Sequence, residues 1–518
     1  MAGHTRRTVL RGGAMAAASV PLVQAAAPPG EASGQGPVTV RPGDPRYPSM
    51  ARRGYNRRFE GRPEQIYVAH SVDDVVRAVD DAVRTGRKLA VRSGGHCFED
   101  FVDAPDVRVV IDLSEMKAVR HDPRRKAFEV EAGATLGEMY QRLYVGWGVT
   151  VPAGTHGGVG VGGHISGGGY GALCRLHGLS VDHLYAVEAV VVGRSGKARS
   201  VVATREPSDP NRDLWWAHTG GGGGNFGIAT RYWFRSPSGS PLPAPPSTVL
   251  DFTLSWPWER LDQEAFGRLL RNYGEWGERN SAPGSPACAL YGELLLNTRS
   301  AGQITLIGQV AADSGAERLL DDLTTALARG VEARPSRQAS TLPWLTAALH
   351  GLDDAPGPFY SVKIKSGHLR RRFTDAQATA LYRHLTRSDY AHPGGTVFVN
   401  TYGGRVGSVR PGATAAAHRD SIFKVGFISG WEDPAVEARH LAWLRELYRD
   451  VYAGSGGVPA DGAYIGYPDN DLADPEWNSS GVPWHRLYYK DDYARLQQVK
   501  RRWDPREVFR HALSVRPA

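Results

Sequence analysis

Residues 154–171 read Gly154-Thr155-His156-Gly157-Gly158-Val159-Gly160-Val161-Gly162-Gly163-His164-Ile165-Ser166-Gly167-Gly168-Gly169-Tyr170-Gly171, and ten of these eighteen are glycine. The run contains a G-x-G-x-x-G match from Gly158 to Gly163, with Asp182 at about the spacing of a ribose-binding acid. Chance matches are expected in so glycine-dense a segment. Ile165-Ser166-Gly167-Gly168-Gly169 is also a poor helix former, so no helix is expected to follow and a dinucleotide fingerprint is rejected. The run reads instead as backbone that closely approaches something flat or anionic, where Cβ atoms would collide.

Upstream, residues 65–69 are strand-like. Ser71 is a helix N-cap, Val72, Val75, Val76, Val79, Ala82 and Val83 share one helical face, and Gly86 stops the helix. Residues 89–92 return as a strand, which completes a β-α-β unit ending in the loop Ser93-Gly94-Gly95-His96 after Arg92. Successive N–H groups in such a loop make a nest that suits a pyrophosphate. A histidine there is by default a capped core residue; beside a nest it is also a candidate for covalent cofactor attachment. Residues 107–113 and 128–131 read as strands and 135–144 as a helix.

Downstream, strand-like runs at 185–192 and 198–203 precede a second glycine cluster, 220–224, which leads into Asn225-Phe226-Gly227-Ile228. Pro- and Ser-rich text at 236–247 marks a boundary. Beyond it, strand-like runs (251–254, 289–296, 305–310, 397–402, 423–428) alternate with helical stretches near 261–274, 315–329, 374–386 and 434–453. That alternation reads as an α+β domain with an antiparallel sheet. The tail from about 463 is aromatic and rich in Asp and Pro, with a basic final helix and the run Tyr464-Ile465-Gly466-Tyr467-Pro468-Asp469.

The whole chain has 518 residues, 41% of them hydrophobic and 22% charged, which supplies a sizeable core and excludes a mainly disordered protein. A net charge of +8 with no basic run argues against nucleic acid as a partner. Cys97, Cys174 and Cys288 are too few and too scattered for a disulfide framework or a zinc site. Thr5-Arg6-Arg7-Thr8-Val9-Leu10-Arg11, an alanine-rich stretch and Ala25-Ala26-Ala27 read as a twin-arginine signal peptide. The apolar stretch is too short for a membrane anchor. Expected are a secreted, extracellular protein, the twin-arginine export machinery as a partner during export, and no membrane partner.

Taken in order, Arg92-Ser93-Gly94-Gly95-His96, the 154–171 run, Gly178-Leu179-Ser180-Val181-Asp182, Asp213-Leu214-Trp215-Trp216, Asn225-Phe226-Gly227-Ile228, Tyr464 to Asp469, Tyr488-Tyr489, Arg495-Leu496 and Asp504-Pro505 resemble the berberine-bridge-enzyme-like FAD-linked oxidases. The resemblance covers nearly the whole chain after about residue 50. It is nearest the bacterial secreted and secondary-metabolite members, including hexose oxidases of glycopeptide antibiotics. It implies an α+β, bilobal protein: a para-cresol-methylhydroxylase/vanillyl-alcohol-oxidase-type FAD domain and a substrate domain whose antiparallel sheet roofs the flavin. The implied boundaries are a signal peptide at 1–27, a linker at 28–49, the FAD domain at 50–237, the substrate domain at 238–455, and a tail at 456–518 that returns to the FAD domain.

By resemblance, His96 carries FAD through its 8α-methyl. Arg92, Ser93, Gly94, Gly95, His156, Gly158, Gly160, Gly162, Gly163, Gly227, Ile228 and Tyr489 bind the cofactor. Tyr467 is the catalytic base, Tyr170 a second catalytic tyrosine, Tyr402 a pocket residue and Val159 the oxygen gate. Many relatives carry a second flavin link from a cysteine; counting back from Gly162-Gly163-His164, that position is His156, so a single link is expected. Gly466, Asp492 and Glu507 stand where relatives have asparagine, which bears on how the pyrimidine edge of the flavin is held. No metal is implied. The implied reaction takes hydride from an alcohol carbon of a sugar, oligosaccharide or glycosylated natural product, and O2 then gives H2O2. The alternatives are a dehydrogenase or oxidative cyclase of an aromatic scaffold, and a catalytically silent flavoprotein.

Overall fold

Three sheets organise the chain. In the computed structural model, which describes residues 36–518 apart from 240, 312–313 and 351–360, β1 (Val38–Val40), β2 (Gln65–Val68), β3 (Leu89–Arg92) and β4 (Val109–Asp112) form the first, in the order β1-β2-β4-β3. β4 lies parallel to β2 and β3, and β1 antiparallel to β2. The helix Val72–Arg84 makes the crossover between β2 and β3. Ser71 caps it by accepting from the Asp74 N–H at 3.2 Å, and Val75, Ala78, Val79 and Ala82 form its buried face. Such a cap contributes about 1 kcal/mol. β1 lies inside the stretch read as linker: its alternating Val-Thr-Val supplies an edge strand. The twin-arginine pattern and the alanines after it lie outside the described residues.

β5 (Val119–Asp122), β6 (Ala127–Glu131), β7 (Leu184–Val192), β8 (Ala198–Thr204) and β9 (Ile228–Phe234) form an antiparallel sheet in the order β5-β6-β9-β7-β8. Between β6 and β7 lie the helix Leu136–Trp147, started by a Thr135/Glu138 capping box, and the glycine-rich run. That run does contain a helix, Val161–Ser166, contrary to the sequence expectation. Its core anchors Val161 and Ile165 are buried and hold a single turn and a half that glycine alone would not sustain. It stops at Gly167.

The third sheet has seven strands: β10 (Thr248–Pro257), β11 (Leu290–Asn297), β12 (Gln303–Val310), β13 (Ser336–Pro343), β14 (Ser361–Leu369), β15 (Gly395–Thr401) and β16 (Phe423–Trp431). It is antiparallel, in the order β13-β10-β12-β11-β15-β16-β14. The helices Gln263–Asn280, Ala316–Ala328, Asp375–Leu385 and Glu437–Val451 bury apolar faces within the same core as its strands. The tail then runs back to the first part of the chain, where Lys500, on the helix Tyr493–Trp503, donates to Asn225 O at 2.6 Å. Among the described residues no helix is long and apolar enough to cross a membrane.

Candidate functional site

The first wall of the site is two glycine loops pressed together. A Cβ on Gly94 would lie 2.3 Å from Gly160 N, and one on Gly160 would lie 2.2 Å from Gly94 N and Ser93 Oγ. A Cβ on Gly162 would meet Ala132 O at 3.0 Å and Ser93 Cβ at 3.1 Å. These glycines let loop meet loop. Gly163 differs: it is exposed and has nothing within 4 Å of its Cβ position, so its open side faces space. Gly158 is exposed too, and its Cβ position lies 3.2 Å from His156 and 3.6 Å from His96.

Arg92 is 2% exposed, and its guanidinium bonds Asp112 at 2.9 Å and Met50 O at 2.6 Å. It supports the Ser93–His96 loop from beneath rather than reaching across it. Arg53, which sequence reasoning passed over, holds both Asp112 oxygens at 2.6 Å and donates to Ser93 O at 3.1 Å. Two guanidiniums thus grip the Asp112 carboxylate beneath the loop, and Asp103 is a second acid within range of Arg92.

The His96 ring stacks on Tyr55, with centroids 4.7 Å apart and planes at 17°, and lies 5.0 Å from the His156 ring. Its Nδ1 lies 3.3 Å from Gly94 O, while its Nε2 is buried with no hydrogen-bond partner. Burial and the neighbouring His156 pull its pKa down to about 4, so the imidazole is neutral at pH 7. His156 Nδ1 accepts from Gly158 N–H at 3.2 Å. Val159 is half-buried and packs on the core.

The second wall is aromatic and centres on Lys424, a buried residue of β16. Its Nζ donates to the Tyr467 hydroxyl at 3.2 Å and lies 4.8, 4.9 and 4.6 Å from the ring centres of Tyr170, Tyr464 and Tyr467. Across the sheet Lys424 is in register with Asn400 and His368. Nothing in the sequence marks this lysine; its signal is only a charge inside an otherwise apolar strand. Phe98, two residues after His96, packs edge-on against Tyr467 at 5.6 Å and so joins the two walls.

The tyrosines are not equivalent. Tyr170 donates its hydroxyl to Thr401 O. Burial holds the pKa values of Tyr170, Tyr402 and Tyr464 well above the usual phenol value. Tyr402 lies 4.8 Å from Tyr170. Tyr489 is fully buried and donates to Gly221 O at 3.1 Å, so it braces the second glycine cluster. Gly227 and Ile228 meet β7: a Cβ on Gly227 would lie 2.6 Å from Val190 O, and Ile228 is 1% exposed in the core.

Local geometry bears on two of the three departures from the resembled pattern. A Cβ at Gly466 would lie 2.5 Å from the Tyr464 ring. Glu507 has φ +50°, the left-handed region that asparagine tolerates best, so this departure places a residue less suited to that backbone.

Comparison with known proteins decides the family. Residues 63–200 match the FAD binding domain and residues 463–516 the berberine and berberine-like domain. The chain is 51% identical over 99% of its length, and 96% of the relative's, to the aclacinomycin-N/aclacinomycin-A oxidase of Streptomyces galilaeus. It is 30% identical to the hexose oxidase of Chondrus crispus, over 91% of this chain and 93% of that one. The crystal structure of a glycopeptide hexose oxidase complexed with teicoplanin superposes with a TM-score of 0.88 at 50% identity, covering 93% of this chain and 99% of that one.

The chain belongs to the berberine-bridge-enzyme-like FAD-linked oxidases. As a member of that family it is a flavoprotein oxidoreductase with the family's α+β fold. The residues present fit FAD: Gly163 has an open Cβ direction, two guanidiniums brace the Ser93–His96 loop from beneath, and His96 is a buried imidazole with one unpartnered nitrogen. Cys97 and Cys174 are poor alternatives to His96, because burial pushes both thiols up to about 12.

Proposed function

We propose that this berberine-bridge-like oxidase oxidises an alcohol carbon of a sugar or glycosylated natural product, with O2 as acceptor and H2O2 as co-product. The observation that carries the reading is the Lys424 ammonium bonded to the Tyr467 hydroxyl inside a cage of aromatic rings. When bound, FAD supplies the hydride-accepting ring. What the chain itself must supply is removal of the hydroxyl proton as the C–H bond breaks. Tyr467 Oη takes that proton, and the neighbouring cation stabilises the phenolate. Tyr170 and Tyr464 keep water from Lys424 and fix its direction, while Tyr402 lines the pocket. Val159 gates the approach of oxygen.

The substrate class rests on the relatives: one is named for an aclacinomycin, one for hexoses, and one was solved with teicoplanin. A screen of mono- and oligosaccharides and glycosylated antibiotics, read by peroxide, tests it. Peroxide is expected with glycosides and absent with the matching aglycones. Turnover of aglycones alone would move the reading to oxidation of the aromatic scaffold.

His96 is the attachment point for FAD, through one link, with His156 where relatives place a second. The neutral state of the His96 imidazole suits a nucleophile, since only the unprotonated ring offers a lone pair. After acid precipitation the yellow colour should stay in the pellet of the wild-type protein, and His96→Ala should release it to the supernatant. Flavin wholly freed from wild type would remove the link; a flavin-bearing tryptic peptide at Cys97 or Cys174 would remove its singleness.

A further inference from the structure

Behind the aromatic cage lies a cluster of six charges that the mechanism does not use. Lys363 and Lys365 point from β14 to the same side, because they are two residues apart on a strand. Lys363 Nζ contacts Glu99, Asp469 at 2.7 Å and Asp471 at 3.8 Å. Lys365 Nζ contacts Asp469 at 2.6 Å and Asp471 at 2.8 Å. Arg445, from the helix Glu437–Val451, closes the set with bonds to Asp471 at 3.0 and 2.8 Å. Both lysine side chains are 2% exposed, and those of Glu99, Asp469 and Asp471 are 3%, 0% and 6% exposed, so these charges sit out of water.

The acids come from two functional loops. Glu99 follows His96 by three positions, and Asp469 follows Tyr467 by two. The loops also touch directly: Asn470 N–H donates to Glu99 at 3.3 Å, and Asn470 Nδ2 donates to Asp100 at 3.3 Å. Lys363 thus clamps the loop bearing the attachment histidine to the loop bearing the base, and Lys365 holds the second loop. Burying five charges, with Arg445 partly exposed at their edge, is a poor way to gain stability, since well-packed apolar residues of similar volume do as well or better. What the arrangement provides is direction: Lys363 bridges Glu99 of one loop and Asp469 of the other.

We propose that Lys363 and Glu99 are positioning residues for flavin attachment, fixing the His96 loop against the Tyr467 loop so that the imidazole meets the flavin 8α-methyl; the N–C bond would form as a methyl C–H bond breaks, the proton leaving to solvent and the electron pair passing through the flavin to O2, the proposed acceptor. The proposal rests on His96 as the attachment point. A displacement of about 1 Å in a reacting pair can cost roughly 100-fold in rate, so a slackened loop should leave attachment incomplete.

The test separates positioning from stability. Lys363→Met/Glu99→Gln removes one charge of each sign and keeps the cluster balanced. Its thermal midpoint should stay near that of wild type, while the acid-stable share of its flavin, read by flavin fluorescence on a denaturing gel, falls well below. Glu99→Gln alone, which keeps the size and a hydrogen-bonding carbonyl, should show the same loss and serves if the double variant folds poorly. Arg271→Ala, which breaks the exposed pair with Asp375, should change neither readout. Wild-type attachment in Glu99→Gln or in a folded double variant overturns the positioning role and leaves His96 untouched. Acid-labile flavin in the wild-type protein overturns His96 itself, and this proposal with it.

Discussion

Tyr467→Phe should fold, keep its flavin and bind substrate, yet reduce that flavin two to four orders of magnitude more slowly, the usual range for losing a general base. The substitution removes one oxygen and keeps the ring that packs edge-on against Phe98 and Tyr464 at 5.6 and 5.1 Å, so packing is preserved. Without an acceptor for the hydroxyl proton, hydride loss would leave a protonated carbonyl, which is costly. The other phenols cannot easily step in: Tyr170 has committed its proton to Thr401 O, and burial disfavours the phenolate of Tyr402 and Tyr464. Anaerobic rapid mixing, with a glycoside that passes the peroxide screen, isolates this step from reoxidation. A reductive rate within a few-fold of wild type would exclude Tyr467 as the base.

The sequence shows part of this site and hides part for physical reasons. Tyr467 and Tyr464 are visible because they stand in a short aromatic run beside Gly466. His96 is visible because it ends a strand-loop with two glycines. The apolar strands β7, β11 and β12 declare themselves by their continuous hydrophobic runs. β14 does not: Ser-Val-Lys-Ile-Lys-Ser-Gly-His-Leu reads as exposed or irregular, yet all nine residues are buried. Its lysines are inside only because Glu99, Asp469 and Asp471, far away in sequence, come to meet them. β13 fails for the opposite reason, being a polar edge strand with seven of its eight residues exposed. The glycine run was legible as close-approach backbone, but not what it approaches. Gly94 and Gly160 are glycine for each other's sake, and Gly163 alone shows an open Cβ direction among the glycines of the proposed cradle.

Lys424 is the residue that periodicity could least reveal, and its removal gives the sharper test of mechanism. Lys424→Met keeps the length and apolar stem of the side chain and deletes the charge, so Tyr170, Tyr464 and Tyr467 retain something to pack on. An opposite charge within about 4–6 Å favours an ionised group by roughly one to three pKa units, and the ammonium stands 3.2 Å from the Tyr467 hydroxyl. Flavin reduction should therefore slow by about 10- to 1,000-fold at neutral pH, with attachment at His96 unchanged because the lysine sits on the other wall. The sign of the pH response follows from the same charge. Without the cation the phenolate forms only at higher pH, so the rate of Lys424→Met should climb as pH is raised through a range where wild type is already flat. Lys424→Arg, which restores the charge with a different reach, should recover part of the neutral-pH rate. Equal slowing of Lys424→Met at every pH would mean that the lysine only shapes the pocket, and the phenolate would then need another source of stabilisation.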